Sequence, residues 1–445
     1  MSDPNRPGEL PCPDVNNDGA LTLGVDFIGS NCVNLLGRLP WRTLGLPDLR
    51  DDSGERLWYA VSNDFHAGGS LPLNSDTAFR PGNTTLTLSG LQQAANVLAI
   101  VFAPGPALVR EGAASIQDRS PAGTLNPVNY LDTAAGGDNA DGNTAFLSSP
   151  QSATFNDRLL PVYSDDIMAL VARRAGRELA QYLRSHFDSW QTATGTGFYP
   201  WAAPFNPLGA SNGAAGTVHG SLPLSTTSAV WTSASAGCGG VGTNELTCVG
   251  IFLPLFGATL FTVNATVANI GNRFYDAPGA GNVSVDTGLL LLGGATSNWT
   301  INRPSQQLNF SYSASNTVSS GVVAIRIRAP ATSAWTGSSW VIDNEWHHLA
   351  YYGLSPDFAV NGSGICGACI TIANTASPMN KEAVLIMAGR ALQGLSQAVR
   401  PVSVPPGTVG DFLEGANAAA SPATPFFAAG AQTSTFNDHP VAVRP

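Results

Sequence analysis

Charge is scarce in this chain. Asp, Glu, Lys and Arg make up only 12% of its 445 residues, and Lys381 is the single lysine. There is no basic run and the net charge is −10, which disfavours a phosphate-neutralising face and so nucleic acid as a partner. No apolar stretch reaches the roughly 18 residues that cross a bilayer. No secretory leader opens the chain, which begins Met1-Ser2-Asp3-Pro4. Signals for catalysis are equally thin. The six histidines are scattered apart from His347-His348, and as strand neighbours those two are expected to point to opposite faces. Gly209-Ala-Ser211-Asn-Gly213 lacks the strand and helix that a nucleophile elbow requires. Gly237-Cys-Gly-Gly-Val-Gly242 lacks a βαβ setting. No Ser/His/Asp set or paired-carboxylate site can be argued, so the chain is expected not to be an enzyme.

What is abundant is Gly (48) and Pro (31), with Ser, Thr, Asn and Ala. That suits many short strands and long loops, over two or three domains. Arg56 to Ser62, Thr84 to Leu88 and Ala95 to Phe102 read as strands, the last a buried central one closed by Pro104-Gly105. One strong helix is expected from Ser164-Asp165-Asp166 to about Trp190, capped by Ser164. Its apolar stripe runs through Ile167, Leu170, Val171, Leu179, Tyr182, Leu183 and Phe187. Between 208 and 340, Ile251 to Leu255, Thr259 to Val267, Leu289 to Leu292, Leu308 to Tyr312 and Val322 to Arg328 read as the strands of a small sandwich. Trp231, Trp299, Trp335 and Trp340 of this region are expected in its core rather than as a platform for sugars.

The six cysteines fall in near pairs, Cys12 with Cys32, Cys238 with Cys248, and Cys366 with Cys369. Disulfides in an oxidising compartment are the favoured reading. A zinc or redox role for the Cys366-Gly-Ala-Cys369 spacing is weaker, since no second CxxC accompanies it. Export without a leader is reconciled if the native N-terminus lies upstream of Met1.

The chain also repeats itself. Gly37-Arg-Leu-Pro-Trp41 matches Gly197-Phe-Tyr-Pro-Trp201, extended by Pro47 and Pro207. Leu57 to Phe65 matches Tyr351 to Phe358, Ala99 to Leu108 matches Ala383 to Leu392, Asn129 to Asp132 matches Asp411 to Glu414, and Thr154 to Asp157 matches Thr435 to Asp438. Five blocks in one order imply two related modules. The expected fold is α+β and β-rich overall: two modules, each a helix plus an antiparallel sheet. Module 1 is 1–163, lacking its N-terminal helix; module 2 is 164–207 plus 341–445; the all-β sandwich insertion is 208–340.

Leu10-Pro-Cys-Pro-Asp14 with Asp18-Gly19, Gly37 to Gly45 and Gly54-Glu-Arg-Leu-Trp-Tyr-Ala-Val61 together resemble large prepilin-type proteins of Gram-negative bacteria. These are the minor pilins and pseudopilins of type IV pilus or type II secretion machinery. The resemblance touches both modules but not the insertion. It implies a non-catalytic filament subunit of the periplasm or cell surface. Its partners would be other pilins or pseudopilins, and it would meet the inner membrane only through the missing N-terminal helix. A bulky double module is expected at the filament tip, priming assembly or presenting a surface to a glycan or secreted substrate. The rival expectation is a freestanding secreted adhesin, calcium-dependent or carbohydrate-binding.

Asp14-Val-Asn16-Asn-Asp18-Gly19 has the alternating oxygen pattern of a calcium loop, so Asp14, Asn16 and Asp18 are the candidate ligands. Val25 stands at the twelfth position and Asp26 one residue late. Pseudopilins are known for calcium, which supports the ion without locating it. Asp132, Asp138 and Asp141 form a second acidic cluster that module 2 lacks.

Overall fold

The computed structural model describes residues 6–69, 72–80, 82–204, 212–253, 259–287, 293–316, 320–333, 339–377, 380–392, 397, 400, 408–419 and 426–444. The expected segments 209–213, in large part, and 289–292, together with Trp335 and Pro207, lie outside them.

The first sheet contains β1 (Leu36–Arg38), β2 (Trp58–Val61), β3 (Leu86–Gly90), β4 (Ala94–Ala103), β5 (Ala145–Ser148) and β6 (Arg158–Tyr163). Its order is β1-β2-β4-β3-β5, and β6 pairs with β4 as well. Every pairing is antiparallel except β3 with β5. The apolar run of β4 makes it central: Val97, Ile100 and Phe102 pack with Trp58 and Phe146 on one face. Ala99 packs with Leu39, Tyr59 and Val61 on the other.

Helix α1 (Ser164–Thr194) follows without a break. Its N-cap is Tyr163, one residue before the expected Ser164, and the Tyr163 amide donates to Asp166 Oδ2 at 2.9 Å. It runs past Trp190 to Gly195, whose φ of 72° terminates it in the left-handed conformation that glycine tolerates. Of the expected stripe, Leu170 is 63% exposed. Ala172, Ala175 and Ala180 are buried instead, so small side chains let α1 lie close on a sheet. A Cβ on Gly176 would come within 2.8 Å of Val441 and 2.9 Å of Met387.

After α1 comes β7 (His219–Ser221), then the sandwich. One of its sheets is built from β8 (Trp231–Ala234), β11 (Thr259–Val267), β13 (Gly293–Asn302) and β14 (Gln307–Asn316), in the order β8-β11-β14-β13. The other holds β9 (Cys238–Gly239), β10 (Glu245–Phe252), β12 (Val283–Thr287) and β15 (Gly321–Arg328), in the order β9-β10-β15-β12. Trp231 Nε1 donates to the Ile327 carbonyl at 3.2 Å, tying the two sheets together. Trp231, Trp299 and Trp340 are all buried, as expected of core tryptophans. His347 and His348 lie in a 3₁₀ turn (Trp346–Leu349), not a strand, with ring centroids 4.0 Å apart.

The last sheet is β7-β16-β17-β18, where β16 is Ala350–Leu354, β17 is Ala383–Met387 and β18 is His439–Ala442. Its register reproduces that of the first sheet residue for residue. Trp58 faces Phe102 and Val61 faces Ala99; Tyr351 faces Ile386 and Leu354 faces Ala383. Arg158 faces Ala103 and Pro161 faces Ile100; His439 faces Met387 and Ala442 faces Val384.

That register corrects the first matched block. Gly37 faces Tyr59, and its counterpart facing Tyr352 is Gly220, not Gly197. Gly37-Arg-Leu-Pro40 therefore corresponds to Gly220-Ser-Leu-Pro223. Tyr199-Pro200-Trp201-Ala202-Ala203 takes the place of Leu10-Pro11-Cys12-Pro13-Asp14. The Leu10 and Tyr199 amides donate to Phe65 and Phe358, and the Asp14 and Ala203 amides to Arg38 and Ser221. The two glycines share one cause. A Cβ would meet the Asp14 carbonyl at 2.9 Å in the first copy and the Ala203 carbonyl at 1.9 Å in the second. Trp41 is half-buried, against Gly19, while Trp201 is in the core with Nε1 on Gln306.

The expectation of two α+β modules is also corrected. Three α-helices occur among the described residues, and only α1 exceeds four residues. Among the described residues the regular structure is mostly strand, in several largely antiparallel sheets. The physical reason is in the composition: only 164–194 carries a sustained helical period, and the Gly, Pro, Ser and Thr elsewhere favour turns and strands. Nor does α1 belong to one sheet. It packs on β17 and β18 and also touches β4 and β6, and its core includes Phe65, Leu73 and Leu98. Buried polar groups complete the join: Arg400 Nη2 meets Asp76 Oδ1 at 2.9 Å, and Asn74 Nδ2 donates to the Asn344 carbonyl at 2.8 Å.

Candidate functional site

The expected calcium loop folds around its own amides. Asp14 is 1% exposed. Its Oδ1 accepts from Asn16 and Asn17 amides at 3.0 and 2.6 Å, and its Oδ2 accepts from Gly19 at 2.6 Å. Asn16 Oδ1 accepts from the Asp18 amide, and Asp18 accepts from the Ala20 amide and from Asn16 Nδ2. Asp26, one residue past the twelfth position, is fully buried and accepts from the Val15 and Thr22 amides. Each of these oxygens accepts from an N–H of its own loop and keeps a further lone pair, which is what Asp14, Asn16 and Asp18 would offer a calcium ion. Burial raises the Asp14 carboxyl above its ordinary range, against the lowering effect of its amide bonds.

The acidic cluster does not converge. Asp138 pairs with Arg110, and exposed Asp141 caps its own turn through Asn143. Asp132 instead joins Asp157, a residue the sequence reading had not linked to it. The Asp132 amide donates to Asp157 Oδ2 at 2.8 Å, and Asp132 Oδ2 accepts from Asn156 and Asp157 amides at 2.7 and 3.2 Å. Asn139 Nδ2 donates to Asp157 Oδ2 at 2.9 Å, and Gln117 Nε2 to Asp132 Oδ1 at 3.0 Å.

The second copy repeats this network. The Glu414 amide donates to Asp438 Oδ2 at 3.0 Å, Asn417 Nδ2 to the same oxygen at 2.9 Å, and Gln397 Nε2 to Glu414 Oε1 at 2.6 Å. Burial, and then the neighbouring carboxylate, holds Asp157 and Asp438 well above the usual carboxyl range. Both are last residues of matched blocks, as are Asp132 and Glu414; that coincidence was the available signal. A carboxyl pair is the geometry of acid–base chemistry; here Oδ2 of Asp157 and of Asp438 each holds a backbone amide within the core, while Oδ1 of each is buried without a hydrogen bond.

The sandwich turns two unlike faces outward. On β10 and β15, Ile251 faces Val322 in register, 68% and 53% exposed, with Val249 and Leu253 alongside. On β11, β14 and β13 the outward residues are mostly Thr, Ser and Asn, with Gln307 at one end and an exposed Leu260 at the other.

The six cysteines lie as the three expected pairs at bonding distance. Cys12 and Cys248 are fully buried, while Cys366 is exposed. The Cys366–Cys369 turn is anchored by Asp357 Oδ2, which accepts from the Gly367 and Ala368 amides at 2.6 Å each. Among the described residues the one group with metal-ligand spacing is Cys12, Cys32 and His66, and its sulfurs are bonded to each other. No helix among them is long and apolar enough to cross a membrane. Compared with known proteins, the chain matches no family model, no curated protein and no solved structure.

Proposed function

We propose that this chain is a non-catalytic, exported subunit of a bacterial surface filament, of the type IV pilus or type II secretion class. It would sit at the tip, where a bulky subunit interrupts no regular packing, priming assembly or presenting its sandwich. Its partners would be other subunits of the filament, and its place the periplasm and cell surface. The observation that carries this reading is the contrast between scaffold and insertion. Both copies of the sheet turn their buried carboxyls onto their own backbone, whereas the sandwich leaves an apolar strip and a polar face open. The strip around Ile251 and Val322 suits contact with a neighbouring subunit, since exposed contiguous apolar surface marks protein contacts.

Two experiments test the reading. The gene is expected to encode a hydrophobic helix ahead of residue 1; a cleaved signal peptide there instead favours the freestanding adhesin. Ile251→Thr with Val322→Thr, which keep a β-branched side chain at each position, should leave the melting temperature nearly unchanged yet deplete the protein from assembled filaments. Undiminished incorporation would remove the strip from the interface. Calcium at Asp14, Asn16 and Asp18 is tested separately: a melt lowered by chelator supports the ion, and a melt unchanged by it argues against one.

A further inference from the structure

No residue of β8, β11, β13 or β14 carries a charge, although the chain as a whole is at −10. The other sandwich sheet is unlike it, with Glu245, Asp286, Arg326 and Arg328 in its strands. The aromatic residues of the uncharged sheet all point inward: Trp231, Trp299, Phe310 and Tyr312 are buried, and Phe261 is half-buried against the same core. Apart from exposed Leu260 at one end of β11, its outward side is left to hydroxyls and amides, and the register arranges them in rows. One row across three strands is Thr262, Ser313 and Thr296. The next is Asn264, Ser311 and Asn298, and the third is Thr266, Asn309 and Thr300. Thr262, Asn264, Ser311 and the three β13 residues are exposed. Neighbouring strands lie about 4.8 Å apart and same-face residues about 6.7 Å apart along a strand, so the face is a regular grid. Within the grid one side-chain bond is made, Thr266 Oγ1 to Asn309 Oδ1 at 3.1 Å.

We propose that this face is a binding surface for a neutral polysaccharide chain. The inference rests on the sandwich being a presented part of the chain, as above, but not on filament membership. Each grid side chain both donates and accepts hydrogen bonds, as each sugar hydroxyl does. A face without charge matches a ligand without charge: no ion need be desolvated on either side. Ser, Thr and Asn are short, so little rotamer freedom is lost on contact. With no outward aromatic ring to stack on, each sugar unit gains only weak bonds. Affinity must then accumulate along a chain, in the manner of linked weak sites. The ligand is therefore a polymer and not a monosaccharide.

The test uses the whole protein with microcrystalline cellulose and chitin as solid probes, and glucose and N-acetylglucosamine as competitors. Retention on at least one solid is expected, unaffected by high salt because no charge takes part, and not displaced by either monosaccharide. Ser311→Arg combined with Asn298→Asp should abolish retention while leaving the melt unchanged, since both positions face solvent. Failure to bind either solid overturns the proposal, as does retention that the paired substitution leaves intact or that salt removes. Loss of the protein from filaments with retention preserved would count against the filament reading and leave this one standing.

Discussion

Asp157 and Asp438 carry the most informative single-residue chemistry in the molecule. Both are held above the ordinary carboxyl range, first by burial and then by the paired acid. The folded chain therefore keeps protons that the unfolded chain has released. Stability from these groups is present at acidic pH and falls as pH rises from the usual carboxylate range toward their raised values. Asp157→Asn with Asp438→Asn should flatten that slope, because an amide presents the same accepting oxygen without titrating. Urea midpoints taken across the acid-to-neutral range check it; an unchanged slope contradicts the protonated reading. Asp157→Ala is expected to cost about 1–3 kcal/mol at acidic pH, by stranding the Asp132 amide and Asn139, and less as pH rises.

At the scale of elements, the join between α1 and the second sheet depends on absent side chains. Gly176→Val places atoms against Met387 and Val441, and overpacking of this kind costs about 1–3 kcal/mol. Chemical denaturation should show that loss with the m-value preserved. Disulfides differ by element too. Cys12→Ser with Cys32→Ser opens a bridge of sequence separation 20, and is expected to cost about 2–4 kcal/mol. The elements also show how much the sequence disclosed. β2 and β4 were legible as apolar runs, β11 as an alternation of Val263, Ala265 and Val267 with Thr262, Asn264 and Thr266, and α1 by its helical period. β7 was not: three residues, His219–Ser221, give no period, and the match of Pro200-Trp201 to Pro40-Trp41 drew attention elsewhere. Only backbone pairing shows that Gly220-Ser-Leu-Pro223 is the true counterpart of Gly37-Arg-Leu-Pro40. The calcium pattern at Asp14 to Gly19 was visible, whereas the loop amides that Asp14, Asn16 and Asp18 accept are set by the fold.

The molecule as a whole is a duplicated sheet joined by one shared helix, with a sandwich inserted in its second copy. Its two halves meet through the buried Arg400–Asp76 pair, 0% and 6% exposed at the side chains. Asp76→Ala leaves that guanidinium without its carboxylate and should cost about 3–5 kcal/mol, and Arg400→Met with Asp76→Leu considerably less. A double-mutant cycle by thermal melting measures the difference. The duplication was readable from the later matched blocks, which carry the strands that pair identically. The carboxyl pairs were half readable, their members present in those blocks but their meeting fixed by the fold. The single helix serving both sheets was not readable, since no local pattern says which surfaces a helix covers. The claim that ties these scales together is that the scaffold carries the sandwich on a surface filament. Its most direct measurement is to shear filaments from the producing cells and probe the sheared and soluble fractions for this chain. Substoichiometric recovery with the filaments is the predicted result; recovery only as a free soluble protein would contradict the account.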